Sequence, residues 1–303
     1  MGLLKLIRNM VNLRAVIVLH TGALLLLTGC KVGSGQEGSP YPAYHRSFHK
    51  VEALIDSGDI AASLDLFEVI IQPVDYVPAY DYFTISRAAS KASKCKLAAT
   101  YFRKALAQGL EYEKIRALKD RMGTKAYNRM YGFATACSSQ IEAVAQEQHN
   151  IQHPYFDKAY KQAIEDLFQK DKAYRGEGVP VHDLVRVDSQ NISTLLRLIE
   201  QNGFPNSRVV GHETSMHAYV ILLHYDNDEE NKRLKPILDQ AYHNGYLGPK
   251  GIAWIVDRRR AWGPKKQAPY YYFLNKESYK YLSFEEKRAV DFRRDSIGLS
   301  PLE

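Results

Sequence analysis

Four polar residues in the C-terminal half are of the types that move protons or hold anions: Arg175, His224, Asp257 and Arg258. A histidine titrates near neutral pH, a carboxylate orients it or takes its proton, and arginines hold an anionic substrate. Apolar periodicity places the four on three separate predicted helices. A shared catalytic site therefore requires those helices to converge on one concave pocket. Each residue also has a plainer reading. Asp171 and Arg175 are four apart, the spacing of an ion pair on one helix face, worth a few tenths of a kcal/mol. His224 closes the apolar run Ala218 to Leu223, which suits a satisfied structural histidine. Asp257 and Arg258 are adjacent, so on a helix they point about 100° apart and pair with other elements rather than each other. Arg258, Arg259 and Arg260 form a basic run whose ordinary explanation is a solvated face.

Other arrangements exclude chemistry. His212-Glu213-Thr214-Ser215-Met216-His217 looks like a metalloprotease helix, but its histidines are five apart rather than four. They lie about 140° apart around a helix and do not grip one ion. Cys95 and Cys137 belong to no CxxC or Cys/His cluster, so no metal site is expected, and they read slightly better as two buried thiols than as a disulfide. No Ser, Cys or Thr nucleophile stands beside a base, and no glycine loop cradles a phosphate. No cofactor is expected. Asp188, just before an apolar run with Asn191 three residues on, reads as an N-cap. Gly203 and Pro205 read as the stop of that helix.

The elements that position these residues are helical. Phe48, Val51, Leu54 and Ile55 have i, i+3, i+4 spacing, and Gly58-Asp59 separates that helix from the next, over 60–71. Further helices are predicted over 80–92, 95–107, 125–148, 155–175, 189–201, 208–224, 229–243 and 249–261. No convincing strand alternation appears beyond a short hairpin in 264–275. The expected class is all-α. Segments 59–70 and 95–106 align at an offset of 36, each with an alanine (Ala62, Ala98) before large apolar residues, and resemble tetratricopeptide-type repeats. That resemblance implies two stacked helical hairpins that bind protein partners.

The first 29 residues carry Lys5, Arg8 and Arg14, no acid, and an apolar stretch over 15–27. Thirteen residues are too few to span a bilayer but suit the core of a signal peptide. Leu27-Thr28-Gly29-Cys30 resembles the lipobox of bacterial lipoproteins, which implies cleavage before Cys30 and lipidation of its thiol. Acyl chains add about 0.8 kcal/mol per buried CH₂, enough for stable anchoring when two or three are present. The Gly/Ser/Pro-rich stretch up to residue 43 reads as a tether. Lys31, following the cysteine, favours the outer membrane under the usual sorting rule. The formal charge of +7, less the three cations of this leader, leaves +4 on 274 residues. Such an excess does not imply nucleic acid, and 45% hydrophobic with 25% charged residues describes a globular chain.

The expected organisation is thus a signal peptide over 1–29, lipidated Cys30 and tether over 30–43, a repeat-like helical domain over 44–148, and a second helical domain over 154–303. The second resembles an uncharacterised bacterial domain family. The matching residues, in order, are Asp171 to Arg175, Asp188 to Asn191, Gly203-Phe204-Pro205, Val210-Gly211, Leu222-Leu223-His224, Asp257-Arg258, and Gly298-Leu299-Ser300-Pro301-Leu302 preceded by Asp291, Arg293 and Arg294. The family's Tyr-Gly-Thr-Gln run is replaced here by Tyr270-Tyr271-Tyr272-Phe273. The resemblance brings no activity with it. The expected function is a lipid-tethered helical module of the cell envelope that binds a protein or other ligand. The alternative is an enzyme acting on an anionic substrate through Arg175, His224, Asp257 and Arg258.

Overall fold

The computed structural model describes residues 38–302 except 152, 177, 225–227, 263–267 and 274–275, and omits the side chains of 149, 228–231 and 262. The expected signal peptide, Cys30, most of the tether and part of the 264–275 hairpin lie outside the described residues. What is described is all-helical, with no strand among the described residues.

Two helical hairpins come first. Helices α1 (Tyr41–Ser57) and α2 (Ile60–Ile70) pair, as do α3 (Ala79–Lys91) and α4 (Cys95–Ala107). Gly58 ends α1 with φ +87°, a conformation that costs glycine little, and the Asp59 carboxylate caps α2 by accepting from the Ala62 N–H. Ala98 is fully buried, as the alignment predicts, but Ala62 is only half-buried. The small residue facing the core on α2 is Ser63. Ser63, Phe67 and Ile70 correspond in burial to Ala98, Phe102 and Ala105, an offset of 35 rather than 36.

The single helix expected over 125–148 is instead broken. Short helices α5 (Tyr112–Arg116), α6 (Leu118–Met122) and α7 (Thr124–Met130) lead to a 3₁₀ turn at Thr135–Cys137 and to α8 (Ser138–Gln146). A covalent link follows the break: Cys137 is joined to Cys95 by a disulfide, with Cα atoms 4.9 Å apart. The expectation of two thiols is corrected accordingly. The Ser90 hydroxyl accepts from the Ala134 N–H beside it.

The remaining helices are α9 (Lys158–Ala173), α10 (Val181–Asn202), α11 (Ser207–Val210), α12 (His212–Leu223), α13 (Asp228–His243), α14 (Pro249–Trp262), α15 (Lys276–Tyr279) and α16 (Phe284–Ser296). The stop at Gly203 is as predicted, with φ +80°. The expected 208–224 helix divides at Gly211, whose φ is +84°.

Residues 39–303 form one compact unit containing two large cores. One is built from residues between Tyr41 and Ala145, the other from residues between Tyr160 and Leu299, and Tyr246 packs on both. Between them lie Tyr76 Oη and Ser207 Oγ at 2.8 Å, and Arg208, whose guanidinium reaches Gln108 (2.9 Å) and the Asp75 carbonyl (3.1 Å). Gly109 is required at the closest approach: with φ +89°, its carbonyl accepts from the His212 N–H, and a Cβ there would lie 2.0 Å from the Ser207 oxygen.

Candidate functional site

Helix α9 ends with Asp171 facing inward, its side chain 4% exposed. Arg175, one turn further on, donates from Nη2 to Asp171 Oδ1 at 2.8 Å and from Nε to Oδ2 at 3.4 Å. The same Nη2 reaches Asp188 on α10. His224, the C-cap residue of α12, brings Nδ1 to 3.2 Å from Asp171 Oδ1. Three helices thus deliver two carboxylates, a guanidinium and an imidazole to one point.

Asp188 is not the N-cap that its spacing suggests. Pro180 caps α10, which starts at Val181, so Asp188 lies two turns inside and its side chain is available to Arg175. Asn191, one turn beyond, is buried and donates to the Leu167 carbonyl of α9 at 3.4 Å.

The two carboxylates have different environments. Burial works to raise Asp171, but the hydrogen bonds from His224 and Arg175 outweigh it and hold this carboxyl below its ordinary range. Burial prevails at Asp188, only partly countered by Arg175, and its carboxyl sits above the ordinary range. One ligand atom from each of Asp171, Asp188 and His224 can be chosen so that all lie within 4.8 Å of one another, a spacing that a divalent cation could draw together. Arg175 bears directly on that option. Its guanidinium already bridges the carboxylates, and a cation there would face its repulsion or have to displace it. Chemically, the group can share a proton between His224 and Asp171, with Arg175 supplying the compensating charge.

Of the four residues singled out in sequence, two meet here directly. Arg258 is their neighbour through the backbone, its Nε donating to the Leu223 carbonyl at 3.2 Å. Arg260 likewise donates to the Ala268 carbonyl at 2.7 Å and lies over the Tyr270 ring. The 258–260 run is therefore half-buried and engaged, not a solvated face.

Asp257 serves a different segment. It is fully buried, and its Oδ1 accepts from the N–H groups of Tyr270 (2.7 Å) and Tyr271 (2.8 Å) and its Oδ2 from Phe273 (2.6 Å). Arg294, 5% exposed, donates to the carbonyls of Tyr271 (2.8 Å) and Ser300 (2.7 Å). Asp291 accepts from Tyr279 Oη and the Leu302 N–H. Residues 268–273 form no strand. They run as an irregular strap whose backbone groups are satisfied by a buried aspartate and a buried arginine, as dry backbone requires.

The two histidines of the metalloprotease-like run diverge. The His212 ring stacks on Tyr80 at 5.5 Å, and burial lowers its pKa. His217 stacks on Phe168 at 3.7 Å with Nδ1 2.9 Å from Glu165 Oε2.

Two polar features escaped the sequence reading. One is a chain of ion pairs from Glu111 to Lys161 (2.7 Å), Glu111 to Lys114 (3.2 Å), and Lys114 to Glu213, which joins the two cores. The other is Asp81, at 2.7 Å from Tyr44 Oη, whose carboxyl is pushed up to about 7 by burial despite that hydrogen bond. Apart from the i, i+3 pair Glu111–Lys114, the partners lie 37 to 99 residues apart and leave no local spacing signal. A clue for Asp81 was available in principle, an acid amid the aromatic run Tyr80, Tyr82 and Phe83.

No family model, curated protein or solved structure matches the chain.

Proposed function

We propose that the protein is a lipid-tethered, non-enzymatic helical module of the cell envelope, holding a protein or other ligand close to the membrane. The observation that carries the non-enzymatic part is the Arg175 guanidinium spanning Asp171 and Asp188. The groups best suited to chemistry are engaged with each other across α9, α10 and α12. Asp257 is engaged likewise, with three backbone N–H groups. The Cys95–Cys137 disulfide supports export, because such cross-links persist in oxidising compartments. The basic leader, apolar stretch and Cys30 support the anchor.

A second reading, proton-transfer chemistry on an anionic substrate, has one observation in its favour. The carboxyls of Asp171 and Asp188 are shifted in opposite directions, the pattern of an acid and base pair.

The anchor is tested by fractionation of cells expressing the natural chain and Cys30→Ser. The natural chain is expected in the membrane pellet and the variant in the soluble fraction. A variant that stays in the pellet with its leader removed overturns the anchor.

A further inference from the structure

Helix α16 buries one side and presents the other to solvent without cover. Val290 and Arg294 face inward, 1% and 5% exposed. Phe292 on the opposite side and Phe284 on the flank next to it are 76% and 69% exposed, and Tyr281, just before the helix, is 81% exposed. At 100° per residue, Phe284, Arg288 and Phe292 lie within about 80° of one another, so they make one stripe. Lys280 lies 5.3 Å over the Tyr281 ring and Arg288 5.8 Å over Phe284. Large aromatic rings exposed together mark a contact surface rather than ordinary scatter, and rings flanked by long cations are the side chains that settle at a bilayer's headgroup level.

The position of this stripe argues for what covers it. Beyond α16, Gly298 packs against α1: a Cβ there would lie 3.1 Å from Arg46 Cγ and from the Arg46 N. Arg46 is near the start of α1, where the N-terminal chain enters, and Ser39 is held by its hydroxyl on the His243 carbonyl at 2.6 Å. Phe292 is six residues, about 9 Å of helix, from Gly298. From Cys30 to Ser39 the chain spans at most about 30 Å. A lipid on Cys30 would keep this end of the body within that distance of the bilayer.

We propose that Tyr281, Phe284 and Phe292 form a membrane-contact face that inserts shallowly into the phospholipid surface and fixes the body's orientation on it. This rests on the lipid-anchor reading for its geometry. Exposed acids (Glu277, Glu285, Glu286 and Asp295) balance Lys276, Lys280, Lys287 and Arg288 here, so ring burial rather than charge supplies the attraction. No helix among the described residues is long and apolar enough to cross a membrane, which fits surface contact.

The test uses the mature chain with Cys30→Ser, free of lipid, and cosedimentation with phosphatidylcholine/phosphatidylglycerol vesicles. The chain is expected to bind weakly and with little salt dependence. Phe284→Ser with Phe292→Ser should lower partitioning at least about fivefold, with an unchanged melting curve. Val181→Ser with Val185→Ser, equally exposed on α10, should change it less than about twofold. Absence of binding by the parent chain, an equal loss in the valine control, or conversion of a dimer to monomer by the phenylalanine changes overturns the proposal. The anchor reading fails separately, by an unacylated mass for the natural chain from membranes.

Discussion

The two halves of the body are held together internally by different physics. In the N-terminal core aromatic rings pack edge to face: Phe67 on Tyr101 at 5.5 Å, Phe102 on Tyr112 at 4.8 Å, and Phe83 on Phe133 at 5.7 Å. Its fully buried polar residues are neutral, His45, Ser63, Ser86 and Ser90, and a disulfide closes it. The C-terminal core is aliphatic, and it contains the buried charges, Asp171, Asp257 and Arg294. Ring packing tolerates small shifts because each contact is weak and there are many. A buried charge network does not, since losing one member leaves its partner uncompensated at about 3–5 kcal/mol. The C-terminal half therefore gains a specific arrangement of α9, α10, α12 and α14, and with it a vulnerability to single substitutions.

The largest expected effect is on the N-terminal half. The disulfide closes a loop of 42 residues, for which chain entropy gives about 4 kcal/mol. Cys95→Ser with Cys137→Ser, or reduction of the natural chain, should lower the melting temperature by roughly 10 °C. The loss of protection in hydrogen exchange should concentrate in α3, α4 and α8. Equal loss across both halves would erase the contrast between them.

Next comes Asp257. Asp257→Asn puts an amide where two carboxylate oxygens accept three N–H groups, and should cost about 3 kcal/mol. Exchange protection should fall in residues 268–273 first. Unaltered protection of this strap would remove Asp257 from its structural role.

A smaller effect separates the halves by pH. Asp81, beside the N-terminal core, has its carboxyl raised to about 7, against about 3.9 when unfolded. A raised carboxyl favours folding below the unfolded value, and that stability is lost as pH climbs through 7. Asp81→Asn should therefore gain stability relative to the natural chain between pH 5 and pH 8. Parallel melting profiles over that range would rule this out.

How much of this was legible in the sequence depends on the range of the interaction. Helix α4 was readable at both ends because its signals are local, an apolar stripe and the Gly109 stop. The Asp171–Arg175 pair was readable for the same reason. Asp188 was misread because D-x-x-N before an apolar run imitates a cap, while the helix begins just after Pro180, eight residues earlier. The disulfide was misread as two thiols because the distance between Cys95 and Cys137 is set by the path of α4 to α7 between them, which no local spacing encodes. Asp257 was picked out as a residue of interest, but its backbone partners lie across a segment whose irregular path carries no periodicity.

The central claim is that the polar cluster of the C-terminal half builds the fold rather than a reaction site. Its most direct test is the thermal unfolding of Asp171→Asn against the natural chain as a function of pH. Asp171 has a lowered carboxyl, so its contribution is full above the unfolded value near 4 and disappears as pH falls below it. The account predicts a melting temperature lower by roughly 5 °C at pH 7, corresponding to about 2 kcal/mol, and a gap that closes toward pH 3. A variant that melts at the same temperature or higher at pH 7 would contradict it, because stability gained by removing a polar group is the mark of a strained functional site.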